Sequence, residues 1–286
     1  MGQHTVPQQY LRNFEDPKRA GFLWLHEKQG GTPRHAAIKN VVQSKGFYSE
    51  NTEKLLAQSV ELPGNEAIRK LITGQRINLN ERFDLAVYVG TMLRRVPYHR
   101  RWASGLVPDT LSLVTGNIRD QIRQLAAEGA LDPALTERRF REVEAFEEKA
   151  SRETPKEVTE RINNPIPSEA IVGALFVMTW RVVESTGPQF FITSDNPAFY
   201  FRGEGYGLGN EPSEVTMPLS TRFALHGSRR GTPRALRFVK ARQLFVREFN
   251  KRLVSQSDRL TFYHEPAPWL LGLMARAELG LFAIHF

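Results

Sequence analysis

The chain has 286 residues, 41% hydrophobic and 24% charged, which is ordinary globular composition with enough apolar material for a core. It contains no cysteine, which excludes disulfides, thiol nucleophiles, iron–sulfur clusters and cysteine-ligated zinc. With 39 basic against 31 acidic residues the formal charge is +8, and an anionic partner is the expectation: nucleic acid, nucleotide or another phosphate-containing ligand.

In chain order, the first fourteen residues, MGQHTVPQQYLRNF, are richer in chemistry than a terminus needs. Thr5 as cap, Pro7 in the first turn and Gln8 at capping-box spacing predict a helix. Tyr10, Leu11 and Phe14 fall on one face of it and would dock it onto a core. His4 would stand ahead of the helix N-terminus, where the dipole favours the neutral imidazole that a general base or a metal ligand requires. Gly21–Glu27 reads as a strand, and Phe47-Tyr48-Ser49 ends a second extended piece. Asn51–Ile72 is helical, with a break expected at Pro63-Gly64, and Asn80–Arg95 is a helix with almost no polar face. Helices follow over Asp109–Glu128, after the start signal Asp132-Pro133, and after the capping box Thr154-Pro155-Lys156-Glu157. Ser168 caps a buried helix expected to run through Glu184. Short strands are predicted at Phe190–Thr193, Ala198–Phe201, Val215–Pro218, Arg222–His226 and Leu260–His264, with a helix over Lys240–Ser255. Gly203–Gly209 is glycine-rich but lacks the spacing of a phosphate loop, so it reads as a connection.

This pattern predicts an α+β fold: one helix-rich domain over 1–286, with a small mixed or antiparallel sheet built from N- and C-terminal strands. The longest uncharged apolar run, Ala170–Trp180, falls far short of the ~18 residues a membrane span needs. No signal-peptide pattern opens the sequence, so a cytoplasmic protein without a membrane segment is expected.

Four islands hold the candidate chemistry. The first is His4 with Gln8 and Gln9. The second is Glu53 and Glu61, eight residues apart and so about 12 Å along a helix, too far to share one ion directly; at most one belongs to a compact site, and Glu66 is a further candidate. The third is Arg94-Arg95-Val96-Pro97-Tyr98-His99-Arg100-Arg101, where arginine forks suit phosphate and Tyr98 suits stacking on a base. The fourth is Ser194-Asp195-Asn196-Pro197, whose carboxylate is either a ligand or base, or part of a turn.

Taken in order, these segments resemble the bacterial family catalogued as domain of unknown function 4238. The opening His4, Pro7, Leu11 and Phe14 matches its His-x-x-Pro-x-x-x-Leu-x-x-Phe segment. Trp24, Phe47-Tyr48-Ser49, the pair Glu53 and Glu61, Arg95-x-Pro97 with Arg100, Trp180, Thr193–Pro197 and Pro218-Leu219-Ser220 match its later elements. Thr5 stands where the family often has an aromatic residue. The resemblance covers nearly the whole chain and implies fold unity and candidate positions, but no activity.

With the basic charge, these positions point to a hydrolase acting on a phosphodiester, a metal-dependent nuclease. In that reading His4, Asp195 and Arg95 are catalytic, and Gln8, Arg94, Tyr98 and Arg100 bind substrate. Glu61 and Asp195 hold magnesium or manganese. The rival reading is a non-catalytic nucleotide- or nucleic-acid-binding protein in which the same arginines hold phosphate.

Overall fold

The computed structural model describes residues 3–28, 30–44, 47, 49–154, 156–201, 208–211 and 213–274. Tyr48, Pro155, the Gly203–Gly207 part of the glycine-rich loop and the tail beyond Met274 lie outside the described residues. Contacts divide the chain into two compact units, Met1–Tyr98 with Pro165–Phe286, and His99–Asn164.

The N-terminal segment is pinned into the first unit, though not by the expected helix. Gln3–His4 forms a strand, β1, antiparallel to Gln43–Ser44. That pairing draws Thr5 away from any capping role: its hydroxyl donates to Val42 O at 3.1 Å. Pro7 stands at the N-cap instead, and helix α1 (Gln8–Leu11) is a single turn that runs into a 3-10 turn over Arg12–Phe14. Tyr10, Leu11 and Phe14 are fully buried, as their common face predicts. The Tyr10 hydroxyl lies 2.8 Å from both Thr193 Oγ1 and Pro218 O, and Asn13 donates to Leu219 O at 2.9 Å.

Strands β2 (Phe22–Glu27), β3 (Arg34–Ala37) and β4 (Gln43–Ser44) follow, then helix α2 (Glu50–Leu55). Helix α2 does not stop before α3 (Leu62–Ile72). A π-helical stretch, Leu56–Glu61, joins them, so the break expected at Pro63-Gly64 does not occur. Pro63 has no N–H to give, and it falls where the bonding pattern changes, which absorbs the loss. Gly64 has a packing role: a Cβ there would lie 2.3 Å from Tyr88 Cδ2, so only glycine lets α3 lie so close to α4 (Leu79–Arg94). Asn78, not Asn80, caps α4 in a full capping box with Glu81. Its buried side includes Leu85, Tyr88, Val89 and Met92.

After the second unit the chain returns through helix α9 (Glu169–Val177), whose predecessors α5 (Pro97–Gly105), α6 (Val107–Ala127), α7 (Pro133–Arg152) and α8 (Lys156–Asn163) supply that unit. The buried helix expected through Glu184 ends at Val177, and Trp180 lies on strand β5 (Thr179–Ser185). The buried Arg82 closes the helix by donating to Phe176 O at 2.8 Å and to Met178 O. Strand β5 is buried on both faces, so it carries no alternation that sequence reading detects. Trp180 pairs across the sheet with Gly227, where a Cβ would come within 2.6 Å of the indole.

The remaining elements are β6 (Thr193–Ser194), β7 (Phe199–Phe201), β8 (Glu214–Pro218), β9 (Phe223–Ser228), β10 (Leu236–Ala241), α10 (Gln243–Gln256), β11 (Leu260–Tyr263) and α11 (Pro268–Met274). Besides the β1–β4 pair the described residues form two sheets, of order β10-β5-β9-β8-β7 and β3-β2-β11-β6. The first is mixed, with β10 parallel to β5; the second is antiparallel and joins N-terminal to C-terminal strands. The fold is therefore α+β, with one sheet of the predicted kind and a larger one that the sequence reading divided between helix and strand.

The second unit is an α6–α7 hairpin with α5 and α8. Asp132 caps α7 as its sequence signal predicts, accepting from Leu135 N at 2.8 Å. Its charged residues are laced together, as in Arg138–Glu142 and Arg139–Glu142, and Arg119 meets Glu147 across the hairpin. Among the described residues no helix is long and apolar enough to cross a membrane.

Candidate functional site

Helix α4 ends by delivering Arg95 into the interior, where the residue is 1% exposed. Two arms of its guanidinium are directed: Nη1 donates to Glu61 Oε1 at 2.6 Å and Nη2 to the main-chain oxygen of His4 at 2.6 Å. One side chain thus ties the end of α4, the π-helical stretch and β1 together. A buried guanidinium needs such partners, since leaving one of them out strands a charge away from water.

Glu53 joins this cluster. In a regular helix eight residues make about 2.2 turns, which would swing Glu53 and Glu61 apart. The i→i+5 bonding of Leu56–Glu61 unwinds the helix and brings the eight-residue step nearer to two whole turns. Glu53 consequently feels Arg95, Glu61 and His4 together. Burial raises its carboxyl above the ordinary glutamate range and Glu61 adds to the rise, while Arg95 and His4 oppose it. Its Oε2 is buried and accepts no hydrogen bond.

The His4 ring is held by its surroundings. Nε2 lies 3.1 Å from Lys39 O, Nδ1 lies 3.5 Å from Gln8 Nε2, and Gln43, which donates to Lys39 O, approaches Nε2 at 3.4 Å. A ring that donates from Nε2 to a carbonyl keeps Nδ1 as its acceptor. The one-turn α1 supplies little of the macrodipole on which the expected position of His4 rested. Beside the cluster, Glu61 lines a cleft of about 810 Å³ with Gln9, Asn13, Gln58, Asn65, Arg69 and several apolar side chains.

Of the residues predicted for a site, then, His4, Gln8, Glu61 and Arg95 meet. Asp195 does not join them. Its Oδ1 accepts from Asp258 N at 2.8 Å, and its Oδ2 from Arg259 N at 2.8 Å and Leu260 N at 2.9 Å, so it fastens the end of β6 to the start of β11. Burial pushes this carboxyl up to about 6, against the lowering effect of the three N–H bonds. Asn196 completes the clasp through Gln256 O at 2.7 Å. The turn reading of Ser194–Pro197 is the one the geometry bears out.

The remaining candidates also have other partners. Tyr98 donates to Gln256 Oε1 at 3.3 Å, and Arg100, in the second unit, donates to Asn163 O at 3.3 Å. Arg94 is half-buried, and that burial lowers its pKa. Glu66 is paired with Arg69 at 2.6 Å.

One family model matches residues 2–267, a range that takes in all of these segments. The chain belongs to the family described as protein of unknown function DUF4238. No curated protein and no solved structure matches it. In this family member the shared elements serve two purposes. The His-x-x-Pro segment, the glutamate pair and Arg95 build the polar cluster. Thr193, just before the Ser-Asp-Asn-Pro element, and the Pro-Leu-Ser element receive Tyr10 and Asn13 and hold the N-terminal segment in place.

The expected magnesium or manganese at Glu61 and Asp195 does not fit this arrangement. Glu61 Oε1 is engaged by a guanidinium and the Asp195 oxygens by backbone N–H groups. Among the described residues no three His, Asp or Glu side chains gather as a metal-binding group. Sequence reading missed Gln43, which no pattern marks. It also weighed Glu53 without choosing it, because about 12 Å along a helix axis separates it from Glu61 and at most one of the two was expected in a compact site.

Proposed function

We propose that this protein is a hydrolase of phosphodiesters whose proton transfers are made by Glu53 and His4. The observation that carries the reading is the buried, unbonded Glu53 oxygen beside the Arg95–Glu61 ion pair. A carboxyl raised by burial keeps its proton to higher pH and so suits the part of a general acid, while Glu61, paired with arginine, holds Arg95 in place.

In this scheme Glu53 delivers its proton to the leaving oxygen of the ester. His4 Nδ1, the ring's acceptor when Nε2 is turned to Lys39 O, takes a proton from the attacking water. Arg95 is a positioning residue: with its fork on Glu61 and the His4 main chain, it sets the ring and the carboxyl relative to each other. The formal charge of +8 supports an anionic substrate. No metal is assigned a step.

The test is turnover of labelled DNA, RNA and a chromogenic phosphodiester by purified protein in chelator-treated buffer. The expected result is activity that falls as pH rises through the Glu53 pKa, because the protonated carboxyl is the working form. Glu53→Gln should lower kcat/KM by about 10²–10⁴-fold, the range for losing a general acid, with the melting temperature preserved. Hydrolysis that survives Glu53→Gln unchanged would sink the assignment. Salt-sensitive binding of the same substrates without any turnover would replace it with the non-catalytic reading.

A further inference from the structure

The positive charge of this chain is not spread evenly. Between Ser228 and Glu248 lie seven basic residues and no acidic one, so this stretch alone carries +7 of the formal +8, and the rest of the sequence is balanced to within one charge. The stretch covers three consecutive structures. Arg229, Arg230 and Arg234 lie in the turn from β9 to β10; Arg237 and Lys240 lie on β10; Arg242 is the N-cap of α10 and Arg247 follows in that helix. All are exposed except Arg229, which is half-exposed.

Three observations separate this surface from an ordinary solvated face. First, none of the seven forms an ion pair among the described residues, whereas arginines of α6 and α7 are paired repeatedly. Second, the turn is held rigidly. Arg234 N donates to Val177 O at 3.1 Å, the Thr179 hydroxyl donates to Thr232 O at 2.5 Å, and Gly231 takes φ 103° with Thr179 Oγ1 only 3.2 Å from where a Cβ would stand. Arg234 itself is held at φ 59°, a conformation rare for a residue with a side chain. Third, β10 is the edge of its sheet among the described residues, and Arg237 stands in register with Arg181 on β5.

Charged residues on an edge strand also deter sheet-to-sheet aggregation. That explains Arg237 and Lys240. It does not explain the arginines that continue the charge through the turn before the strand and the helix after it. Six of the seven are arginine, whose planar fork binds phosphate oxygens in pairs, and Phe238, on the same face of β10 as Lys240, is 38% exposed and available to stack.

We propose that Arg229–Arg247 is a docking surface for the sugar–phosphate backbone of nucleic acid. The surface is separate from the Glu53 cluster in sequence and residues, and it binds whether or not that cluster is a hydrolase.

The experiment is fluorescence anisotropy of the full chain with labelled single-stranded RNA, single-stranded DNA and duplex of about 20 units, titrated at several salt concentrations from about 50 mM upward. Binding should weaken linearly in log–log form, with each phosphate contact on a single strand contributing about 0.7 to the slope. R237A/K240A/R242A should weaken binding at least about tenfold and flatten the slope by roughly 2. The turn variant R229A/R230A should act in the same direction, and it keeps the test open if the triple variant folds poorly by circular dichroism. R138A/R139A/R141A on α7 removes equal charge elsewhere and should leave binding within about twofold, because a nonspecific field alone is not the cause. Absence of binding near 50 mM salt, or equal weakening in the α7 variant, would overturn the proposal. So would tight, R237-dependent binding to phosphatidylserine vesicles with none to nucleic acid.

Discussion

A carboxylate that accepts three backbone N–H groups has little lone-pair capacity left for a substrate or an ion. Asp195 is in that position, and its neighbours show what it does: it locks the start of β11 to the end of β6. Glu53 differs in each respect, with a buried oxygen that nothing bonds and no backbone role. Asp195→Asn should therefore lower stability, because the amide nitrogen cannot accept and leaves one or more buried N–H groups unsatisfied, at about 1–3 kcal/mol for each. Activity per folded molecule should not change. The loss should also depend on pH. The Asp195 carboxyl titrates near 6 in the folded chain, above its unfolded value, so its protonated form favours folding. That contribution is full at low pH and disappears as pH rises through about 6. Thermal melts of both proteins between pH 4 and pH 7 check this: the gap should narrow with rising pH. A gap that widens would mean that Asp195 is stabilised as the carboxylate.

At the scale of elements, the candidate site depends on one irregularity. The sequence marks Glu53 and Glu61 as a pair and Arg95 as a helix-end arginine, and all three prove to be neighbours. It does not mark the π-helical stretch, because i→i+5 bonding arises from packing and leaves no distinct pattern of apolar residues. The dipeptide Pro63-Gly64 looked like a stop for the same reason. Read locally it breaks a helix, whereas in the fold Gly64 admits the Tyr88 ring. The same blindness hid β5, buried on both faces, behind an apolar run that resembles a helix. Tyr10, Leu11 and Phe14 were legible because a single buried face is what periodicity reports. Gly64→Ala tests the contact. The added methyl meets the ring at 2.3 Å, so α3 or Tyr88 must move. Overpacking of this kind costs about 1–3 kcal/mol, a fall of roughly 5 °C in melting temperature for a unit of this size. Because Glu61 lies on the turn before Gly64, the proposed hydrolytic activity should fall along with stability. Unchanged melting would show that the two helices are not packed as closely as the geometry requires.

At the scale of the molecule, stability should be as uneven as charge. The first unit contains nearly every buried side chain, in clusters centred on Tyr88 and Trp180, on Phe190 and Tyr263, and on Phe191 and Phe249. Its N-terminal segment is bound to C-terminal strands, so unfolding either end disturbs the other. In the second unit, among the described residues, only Thr115, Ile122, Val143 and Ala150 are buried, while Leu113 is 66% and Phe146 50% exposed. The ion pairs along its helices are mostly exposed, so solvent screens them and each contributes little. A helical hairpin with so small a core opens at a free energy well below that of global unfolding. Hydrogen exchange of the intact chain at neutral pH should find the amides of α6 and α7 exchanging within minutes. Those of α4, β5 and β9 should stay protected for hours. Helices α4, α6 and α7 are all regular α-helices, so a difference in protection among them measures packing and not secondary structure. Equal protection in the two units would mean that the hairpin draws stability from contacts other than its own buried residues.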